Sequence, residues 1–572
     1  MTELACLPIA IGHADEGVCL VVRMGPHRVM LDCGLSSLSP ILATCGESPP
    51  ADVVLCTHAH ADHAQGLLEL HRRFPQMPIY ASDATTQLLP LNWLEEREAV
   101  PSFCQALPWR SPVEFVDGLI AELFPAGHLP GAAACLLTHR TAERDYTLFY
   151  TGDFFLSNSR LVDGMPLEEL RGLRPDVLVV EGSYGTARHP HRRQQENLLA
   201  EHISRAIADK RSVLFPLPTI GLGQELLMLL RSHHHFTGQN IDIWVDGAIA
   251  TGCDAYLDLL PHLPSSVQNF ARHQSLFWDE RIRPRVRPLP LDAGLQSIAL
   301  AGPKPCIVLT HYRSDLARYV QRSTLPWLCL LPQQPGRPGA VEAMTQDTLK
   351  TLKPLKRALK TQQLVTDTYL LGEHCDGAGT TQLIHNLRPQ HVLFVHGAAN
   401  YLTDLASLEE LQHRYQLHLP SAGVEVDLPI GETFVQPAPP EARYEGELAE
   451  TDAGVTMLLP GAIAADSRWQ RLADTGIIEA HWQGEELVIR GMSQRELLEQ
   501  GREPYFSPEV ECCGNCVHNR GQRCWNQASS LYGFRITPDG YCPAFDPQSA
   551  TASDDPRFDS VDFPVDLDDA DA

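Results

Sequence analysis

The chain contains no run of about 18 consecutive apolar residues, which is the length that a membrane-spanning helix needs. Its first residues also lack the basic-then-apolar layout of a secretory signal peptide. At 572 residues, with 44% hydrophobic and 20% charged residues, it has the composition of a soluble chain with several domains. We therefore expect a cytoplasmic protein with no membrane partner.

Net positive charge is also missing, because the formal net charge is -26. This value by itself argues against a nucleic-acid partner. Residues 187–360 differ from the rest, since they hold 22 Lys and Arg against 14 Asp and Glu, a local excess of 8 positive charges. Four arginines alternate there, at Arg281, Arg283, Arg285 and Arg287. A basic module inside an acidic chain is a candidate surface for a polyanion.

Internal repeats are absent, so we divide the chain by composition and by the spacing of its apolar runs. The predicted segments are a strand-rich α/β domain (1–186), an α/β insertion (187–365), a return to the first domain (366–436), a Pro-rich linker (437–449), a small α/β module (450–504), a Cys-rich segment (505–548) and an acidic tail (549–572). The composition of the tail is typical of disorder.

The 16 cysteines fall into two classes. Eleven are scattered singly, many in apolar segments, as buried small hydrophobic side chains would be. The Cys-rich segment instead has the order Cys513-x2-Cys516-x7-Cys524-x17-Cys542, a spacing that indicates a metal in a reduced compartment. It fits a structural four-cysteine zinc site and also an iron–sulfur cluster, and both interpretations stay open.

The densest group of metal-ligand side chains is the segment His58-Ala-His-Ala-Asp-His63. It follows the apolar run Val53–Cys56 and precedes a predicted amphipathic helix over 64–73, so we expect it on a strand-to-helix loop. On such a loop His58 and His60 can face one point while Asp62 and His63 reach a second. Imidazole and carboxylate ligands in this arrangement suit zinc or a similar first-row ion, and often two ions.

Further ligands are available at the ends of other predicted strands. Asp32, His128, Asp153 and His396 each stand at or near the end of an apolar run, with a glycine close by. Any one of them alone is more often a strand-end cap than a ligand. The four together predict a two-metal site.

In this order the motifs resemble those of the metallo-β-lactamase superfamily and, within it, the β-CASP nucleases. Three further segments carry the β-CASP resemblance: Val179-Val-Glu-Gly-Ser-Tyr-Gly185, Gly372-Glu-His-Cys-Asp376 and Leu393-Phe-Val-His-Gly397. The resemblance is nearest to the endonuclease subunit of the cleavage and polyadenylation specificity factor and to ribonuclease J-type bacterial and archaeal proteins. It implies a metallo-β-lactamase αββα sandwich with an inserted β-CASP α/β domain.

The resemblance also implies roles for individual residues. One zinc would be held by His58, His60, His128 and Asp153, and the other by Asp62, His63, the shared Asp153 and His396, with manganese as an alternative metal. Asp32 would orient ligand histidines. His374 would act as general acid, Glu181 would hold it in place, and Asp62 would belong to the catalytic set. The implied reaction is RNA hydrolysis that leaves a 5'-phosphate and a 3'-hydroxyl.

Single-stranded RNA is the expected partner, because RNA-processing members of the family carry histidine where this chain has His396 and the DNA-repair branch carries valine. A small-molecule metallo-hydrolase acting on thioesters or lactams, a DNA-directed β-CASP nuclease and a non-catalytic scaffold remain alternatives. A homodimer or a protein partner through the C-terminal modules also stays open. The chain departs from the family after Thr310, where His311-Tyr-Arg-Ser-Asp315 replaces a Ser/Gly turn with a Gly-Met pair.

Overall fold

The computed structural model describes residues 3–431 except 14–15, 97–99, 293–299, 301, 303, 321–322, 334–357 and 359. Beyond residue 431 it describes 447–451, 454–458, 478–483, 486–491, 515–520, 523–526 and 546. The chain forms two compact units, Met1–Ala438 and Pro439–Ala572. Among the described residues, no helix is both long enough and apolar enough to cross a bilayer.

The first sheet of the larger unit has seven strands. They are β1 (Leu4–Ile11), β2 (Val18–Met24), β3 (His27–Leu31), β4 (Val53–Leu55), β5 (Ile79–Ser82), β6 (Cys104–Leu107) and β20 (Val426–Asp427). From edge to edge their order is β20-β1-β2-β3-β4-β5-β6, and β3 to β6 run parallel. The helices that follow these strands are α1 (Ser39–Cys45), α2 (Ala61–Ala64), α3 (Leu67–Arg73) and α4 (Asp83–Leu88).

The second sheet also has seven strands, and the last two come from the C-terminal part of the larger unit's sequence. Its strands are β7 (Val113–Val116), β8 (Leu119–Pro125), β9 (Ala133–Arg140), β10 (Asp145–Tyr150), β11 (Val177–Glu181), β18 (His391–Val395) and β19 (Gln416–His418), and α5 (Leu167–Leu170) precedes β11. Their order is β19-β18-β11-β10-β9-β8-β7. Strand β18 pairs in parallel with β11, so the chain returns to this sheet after a long excursion.

The two sheets pack face to face through alternate apolar side chains. Leu20 and Leu31 of the first sheet and Leu137, Leu148 and Val179 of the second lie in one fully buried cluster. The helices cover the outer faces, as expected for an αββα sandwich, because each sheet buries both faces only when a second layer packs on each side. The expected α/β fold class is confirmed.

The excursion between β11 and β18 builds a third sheet. Its strands are β12 (Ser212–Leu217), β13 (Asp242–Val245), β14 (Arg285–Pro288), β15 (Ile307–His311), β16 (Trp327–Pro332) and β17 (Leu364–Tyr369). They run parallel in the order β14-β13-β15-β12-β16-β17. The inner strands are continuous apolar runs, as expected for a parallel sheet with both faces covered.

Helices connect the strands of the third sheet and lead back to the second. They are α6 (Arg192–Ala208), α7 (Leu222–Ser232), α8 (Gly247–Asp258), α9 (Ser265–His273), α10 (Ala317–Val320), α11 (Gly377–Leu387), α12 (Ala399–Ala406) and α13 (Glu409–Gln412). Helix α6 buries Leu199 and Ile203, which are four residues apart on one face. Helix α11 is capped at its N-terminus by Asp376, whose side chain accepts a hydrogen bond from the Gly379 amide at 2.9 Å.

One local expectation was wrong. The single helix predicted over 64–73 is two helices, α2 and α3, and the first begins at Ala61, so Asp62 and His63 lie on a helical turn rather than in a loop. The break at Gly66 has a packing cause, because a Cβ there would come 2.8 Å from Cys33 Sγ. Within the arginine row, Arg285 binds Asp242 at 2.6 Å, so part of the positive charge of that row is paired.

In the smaller unit the described elements are three hairpins. They are β21 (Glu447–Thr451) with β22 (Gly454–Leu458), β23 (Ile478–Gln483) with β24 (Glu486–Gly491), and β25 (Asn519–Arg520) with β26 (Arg523–Cys524). Cys516 and Cys524 are buried around the last hairpin. Cys513 and Cys542 lie outside the described residues, so the zinc and iron–sulfur interpretations of this segment stay predictions.

Candidate metal centre

The expected site residues meet at one edge of the sandwich, where parallel strands of both sheets end. Asp32 follows β3 and His58 stands three residues after β4. In the second sheet Glu181 is the last residue of β11, Asp153 follows β10, and His396 follows β18. Because the carboxyl ends of parallel strands lie on the same side of a sheet, residues far apart in sequence converge there.

One group of possible ligand atoms comprises His58, His60, His128 and Asp153, whose nitrogen and oxygen atoms all lie within 4.8 Å of one another. His58 Nε2 is 3.5 Å from Asp153 Oδ2, and His60 Nδ1 is 3.0 Å from His128 Nε2. The side chain of His58 is fully buried. Three imidazoles and one carboxylate in this arrangement match the ligand set and coordination number that zinc prefers.

A second group lies beside the first and comprises Asp62, His63 and His396. His396 Nε2 is 3.3 Å from Asp62 Oδ2, and His63 Nε2 is 3.3 Å from Asp153 Oδ1. Asp153 thus has one carboxylate oxygen toward each group. A carboxylate in this position can bridge two cations.

Each of the five histidines in these groups has one ring nitrogen occupied outside the centre. Nδ1 of His58 is 3.1 Å from Thr57 Oγ1, whose hydroxyl hydrogen bonds to Asp32, and Nδ1 of His63 donates directly to Asp32 at 2.8 Å. Nδ1 of His128 donates to the Glu373 carbonyl oxygen at 2.8 Å, and Nε2 of His60 lies 3.4 Å from the Ile220 carbonyl oxygen. Such contacts select the tautomer whose other nitrogen is free to bind metal.

His396 follows the same rule through Ser183. Its Nδ1 is 2.8 Å from Ser183 Oγ, and the Ser183 hydroxyl donates to Glu181. The His396 backbone has a φ of 50°, in the left-handed region, where its amide donates to the Ile11 carbonyl oxygen at 2.7 Å. A non-glycine residue is held in this region only when its surroundings require it.

Several buried polar atoms at the centre have no hydrogen-bond partner within the described protein. They are His58 Nε2, His63 Nε2 and Asp153 Oδ1. A buried polar atom without a partner is destabilising by roughly 1–3 kcal/mol, so folded proteins rarely keep three of them together. Because all three are ligand atoms of the types that bind zinc, the residues fit a bound metal.

Asp32 lies one layer behind the ligands and is fully buried. It accepts hydrogen bonds from the Thr57 amide at 2.7 Å, from His63 Nδ1, and from the Tyr150 hydroxyl at 2.7 Å. Its oxygens are therefore used in orienting side chains, among them the ring of His63. Sequence reasoning missed Thr57, Tyr150 and Ser183 as supports, although each adjoins or belongs to a motif that it identified.

His374 approaches the centre from the segment that follows the insertion. Its Nδ1 donates to both oxygens of Glu181, at 3.1 Å and 2.9 Å, and lies 3.8 Å from Asp153 Oδ2. Glu181 also accepts a hydrogen bond from the Phe154 amide at 2.7 Å. The imidazole ring is partly exposed at 19%, unlike the fully buried candidate ligands His58 and His63.

The charges of this pair reinforce each other. Burial lowers the pKa of His374, but the carboxylates of Glu181 and Asp153 outweigh burial and raise this pKa to about 9. Burial acts in the opposite direction on Glu181, whose pKa nevertheless falls to about 2, mainly because of His374. At neutral pH the protein groups alone therefore hold an imidazolium next to a carboxylate.

Comparisons with known proteins agree with this geometry. The Beta-lactamase superfamily domain model matches residues 27–213. The Synechocystis protein sll0514 is 46% identical over 95% of this chain and 97% of its own length. Ribonuclease TTHA0252 of Thermus thermophilus is 30% identical over 40% of this chain and 55% of its own length. Endoribonuclease ysh1 of Schizosaccharomyces pombe is 26% identical over 44% of this chain and 36% of its own length.

A two-sheet sandwich with this ligand pattern defines a metallo-β-lactamase-fold protein. The chain contains a metallo-β-lactamase superfamily domain, and over part of its length it is similar to the two named ribonucleases. The chain spans 55% of the length of ribonuclease TTHA0252 and 36% of the length of endoribonuclease ysh1.

Proposed function

We propose that this protein is a metal-dependent ribonuclease that hydrolyses phosphodiester bonds of single-stranded RNA. The observation that carries the proposal is the hydrogen-bonded pair of His374 and Glu181, which stands against the two ligand groups. The names of the Thermus and Schizosaccharomyces relatives, a ribonuclease and an endoribonuclease, support the same substrate.

Two zinc ions, or manganese in their place, are the metals that the ligand groups would hold. His58, His60, His128 and Asp153 would bind one ion, and Asp62, His63, Asp153 and His396 would bind the other. When bound, such a pair of ions lowers the pKa of a water molecule and stabilises the charge that develops on the phosphate. Asp32 keeps His63 in the tautomer that leaves Nε2 available for this purpose.

Proton delivery to the leaving oxygen is the role that we assign to His374. Because Nδ1 donates to Glu181, the ring retains Nε2 as its second donor when it is protonated. The Glu181 carboxylate orients the ring with two contacts and stabilises its charged form. Glu181 is itself held by the Phe154 amide and the Ser183 hydroxyl, so the donor has a defined position before substrate binds.

RNA is preferred to small acyl substrates on structural grounds. A thioesterase or lactamase would need the sandwich and its ligands but would have no use for a six-stranded insertion or for an acid positioned by Glu181. The metal centre alone does not distinguish RNA from DNA, and the ribonuclease relatives favour RNA.

The test is a substrate panel with the purified full-length chain loaded with zinc or manganese. Internally labelled single-stranded RNA, the same sequence as DNA, and an acyl thioester are incubated in parallel, and products are examined for a 5'-phosphate. We expect RNA cleavage only. Intact RNA in the presence of two bound ions per chain would overturn the proposal, and thioester hydrolysis would favour the small-molecule alternative.

His374→Ala is the accompanying variant. We expect kcat on RNA to fall by about 10²- to 10⁴-fold, as for loss of a general acid, with metal content unchanged by mass spectrometry. The matched control is His385→Ala, which removes a histidine from α11 whose contact is the Tyr415 hydroxyl at 2.8 Å. Unchanged cleavage by His374→Ala would refute the general-acid role.

A further inference from the structure

The segment after β15 lies at the same edge of the insertion sheet as the metal centre. The Tyr312 amide donates to the Leu217 carbonyl oxygen at 3.0 Å, at the end of β12. From Leu217 the chain reaches Gly221 in four residues, a span of at most about 14 Å. Gly221 contacts the centre, because a Cβ there would lie 3.2 Å from His60 Nε2.

Three consecutive side chains at this edge combine an exposed ring with cationic and imidazole neighbours. Tyr312 is 38% exposed, which is unusual for so large a ring beside a parallel sheet. The His311 ring lies 4.4 Å from the Tyr312 ring, and the Arg313 guanidinium lies 5.4 Å from its centroid. In the part of the chain that the structure describes, no carboxylate lies within 4.0 Å of Arg313, so its charge is available to a ligand.

The segment is held rigidly from below by Asp246, which follows β13 and is buried. Its Oδ2 accepts hydrogen bonds from Thr310 Oγ1 and Tyr319 Oη, both at 2.8 Å, and from the Arg318 guanidinium. The Ser314 amide closes a turn onto the His311 carbonyl oxygen at 2.9 Å. A ring presented on a braced turn loses little conformational entropy when it stacks on a ligand.

The arginines of β14 differ from Arg313 in their pairing with carboxylates and in their position in the sheet. Arg285 binds Asp242 at 2.6 Å, and Arg287 lies 3.8 Å from Glu280 with its guanidinium over Trp244 at 5.4 Å. Strand β14 is also the outer strand of the sheet. Arg313 therefore differs from Arg285 and Arg287 in having no carboxylate within 4.0 Å among the described residues.

Resting on the ribonuclease function proposed above, we propose that Tyr312 is a stacking platform for an unpaired nucleobase close to the scissile phosphate, with Arg313 binding the adjoining phosphate. Single-stranded RNA is bound by exposed aromatic rings and nearby cations, because every base presents a π-face and every linkage a charge. The platform would select unpaired substrate, since a base in a duplex is already stacked on its neighbours.

The first experiment compares KM and kcat for a short single-stranded RNA. We expect Tyr312→Ala to raise KM by about 10-fold with kcat nearly unchanged, and Tyr312→Phe to restore the wild-type value, because stacking needs only the ring. Arg313→Ala should raise KM by about 5-fold and reduce its salt dependence. The matched control is Arg281→Ala, an exposed arginine at the opposite end of the sheet, which should change neither constant.

The second experiment identifies the contact by scanning one abasic nucleotide along the RNA. In the wild-type protein, an abasic nucleotide at one position near the cleaved bond should raise KM by about 10-fold. In Tyr312→Ala, whose KM is already raised, an abasic nucleotide at the same position should cause no further increase. If the abasic nucleotide and Tyr312→Ala each raise KM and their effects multiply when combined, the stacking role of Tyr312 is refuted. If the wild-type protein cleaves no RNA, the proposed function fails, whereas wild-type cleavage with an unchanged KM in Tyr312→Ala refutes this inference alone.

Discussion

Two buried carboxylates at the ends of parallel strands illustrate how differently the sandwich and the insertion use the same structural position. Asp153, after β10, is surrounded by imidazoles, and its Oδ1 has no hydrogen-bond partner among the described residues. Asp246, after β13, has hydroxyl and guanidinium donors from Thr310, Tyr319 and Arg318. A carboxylate oxygen that faces imidazole nitrogens without a hydrogen bond indicates a ligand, and one whose partners all donate to it indicates a support.

Asp32 shows that the distinction does not depend on which domain a residue belongs to. It lies in the sandwich, next to the ligands, yet its oxygens accept from Thr57, Tyr150 and His63. It therefore resembles Asp246 in chemistry and Asp153 in location. The hydrogen-bond inventory of a carboxylate is a better guide to its role than its distance from the site.

The largest effect should come from Asp153→Asn. Because this carboxylate faces both ligand groups, we expect loss of both ions and a fall in RNA cleavage of more than about 10³-fold. Mass spectrometry of the native protein measures metal content, and circular dichroism checks that the fold persists. Retention of two ions per chain would show that Asp153 is a support like Asp246.

Asp246→Ala should lower the stability of the fold and leave metal binding unchanged, the opposite of what we expect for Asp153→Asn. It removes the acceptor of buried Thr310 and Tyr319, so the free energy of unfolding should fall by about 2–3 kcal/mol in urea titrations. Metal content should stay at the wild-type value. A loss of metal in a protein that remains folded would contradict the comparison between the two carboxylates.

Tyr150→Phe should have a smaller and more specific effect. The hydroxyl donates to Asp32 at 2.7 Å and touches no ligand, so its removal should weaken metal affinity by about 10-fold through Asp32 and the histidines that Asp32 orients. Competition with a chelator measures the change. The matched control is Tyr146→Phe on the same strand, which should leave affinity as in the wild type.

The smallest expected effect concerns the pH dependence of stability. It involves His418, which belongs to neither the Asp153 cluster nor the Asp246 cluster. Burial and the neighbouring His391 lower the pKa of His418 to about 4, below its usual 6.5. The unfolded chain therefore binds a proton that the folded chain excludes, and stability should fall as the pH drops from 6.5 toward 4. Urea titrations over this interval should show a weaker pH dependence for His418→Gln, and equal slopes would contradict the assignment.

Sequence patterns predicted most of the site because ligand chemistry is local. His58 to His63 lie within one segment, and Asp32, His128, Asp153 and His396 each follow an apolar run, so strand ends could be recognised without contacts. The break between helices α2 and α3 was missed because it depends on the packing of Gly66 against Cys33, which lies on another strand connection. The pairing of Arg285 was not recognised because its acidic partner, Asp242, lies on the neighbouring strand β13.

The sequence by itself determined which side chains are present and in what order, and therefore the resemblance to metallo-β-lactamase-fold proteins. The tertiary structure decided which of them meet. Asp62 and His396 are 334 residues apart and His374 and Glu181 are 193 apart, yet each pair is in contact. The packing of the two sheets against each other brings the first pair together, and the return of the chain after β17 positions the second. Such convergence depends on strand pairing across long separations, which no local pattern encodes.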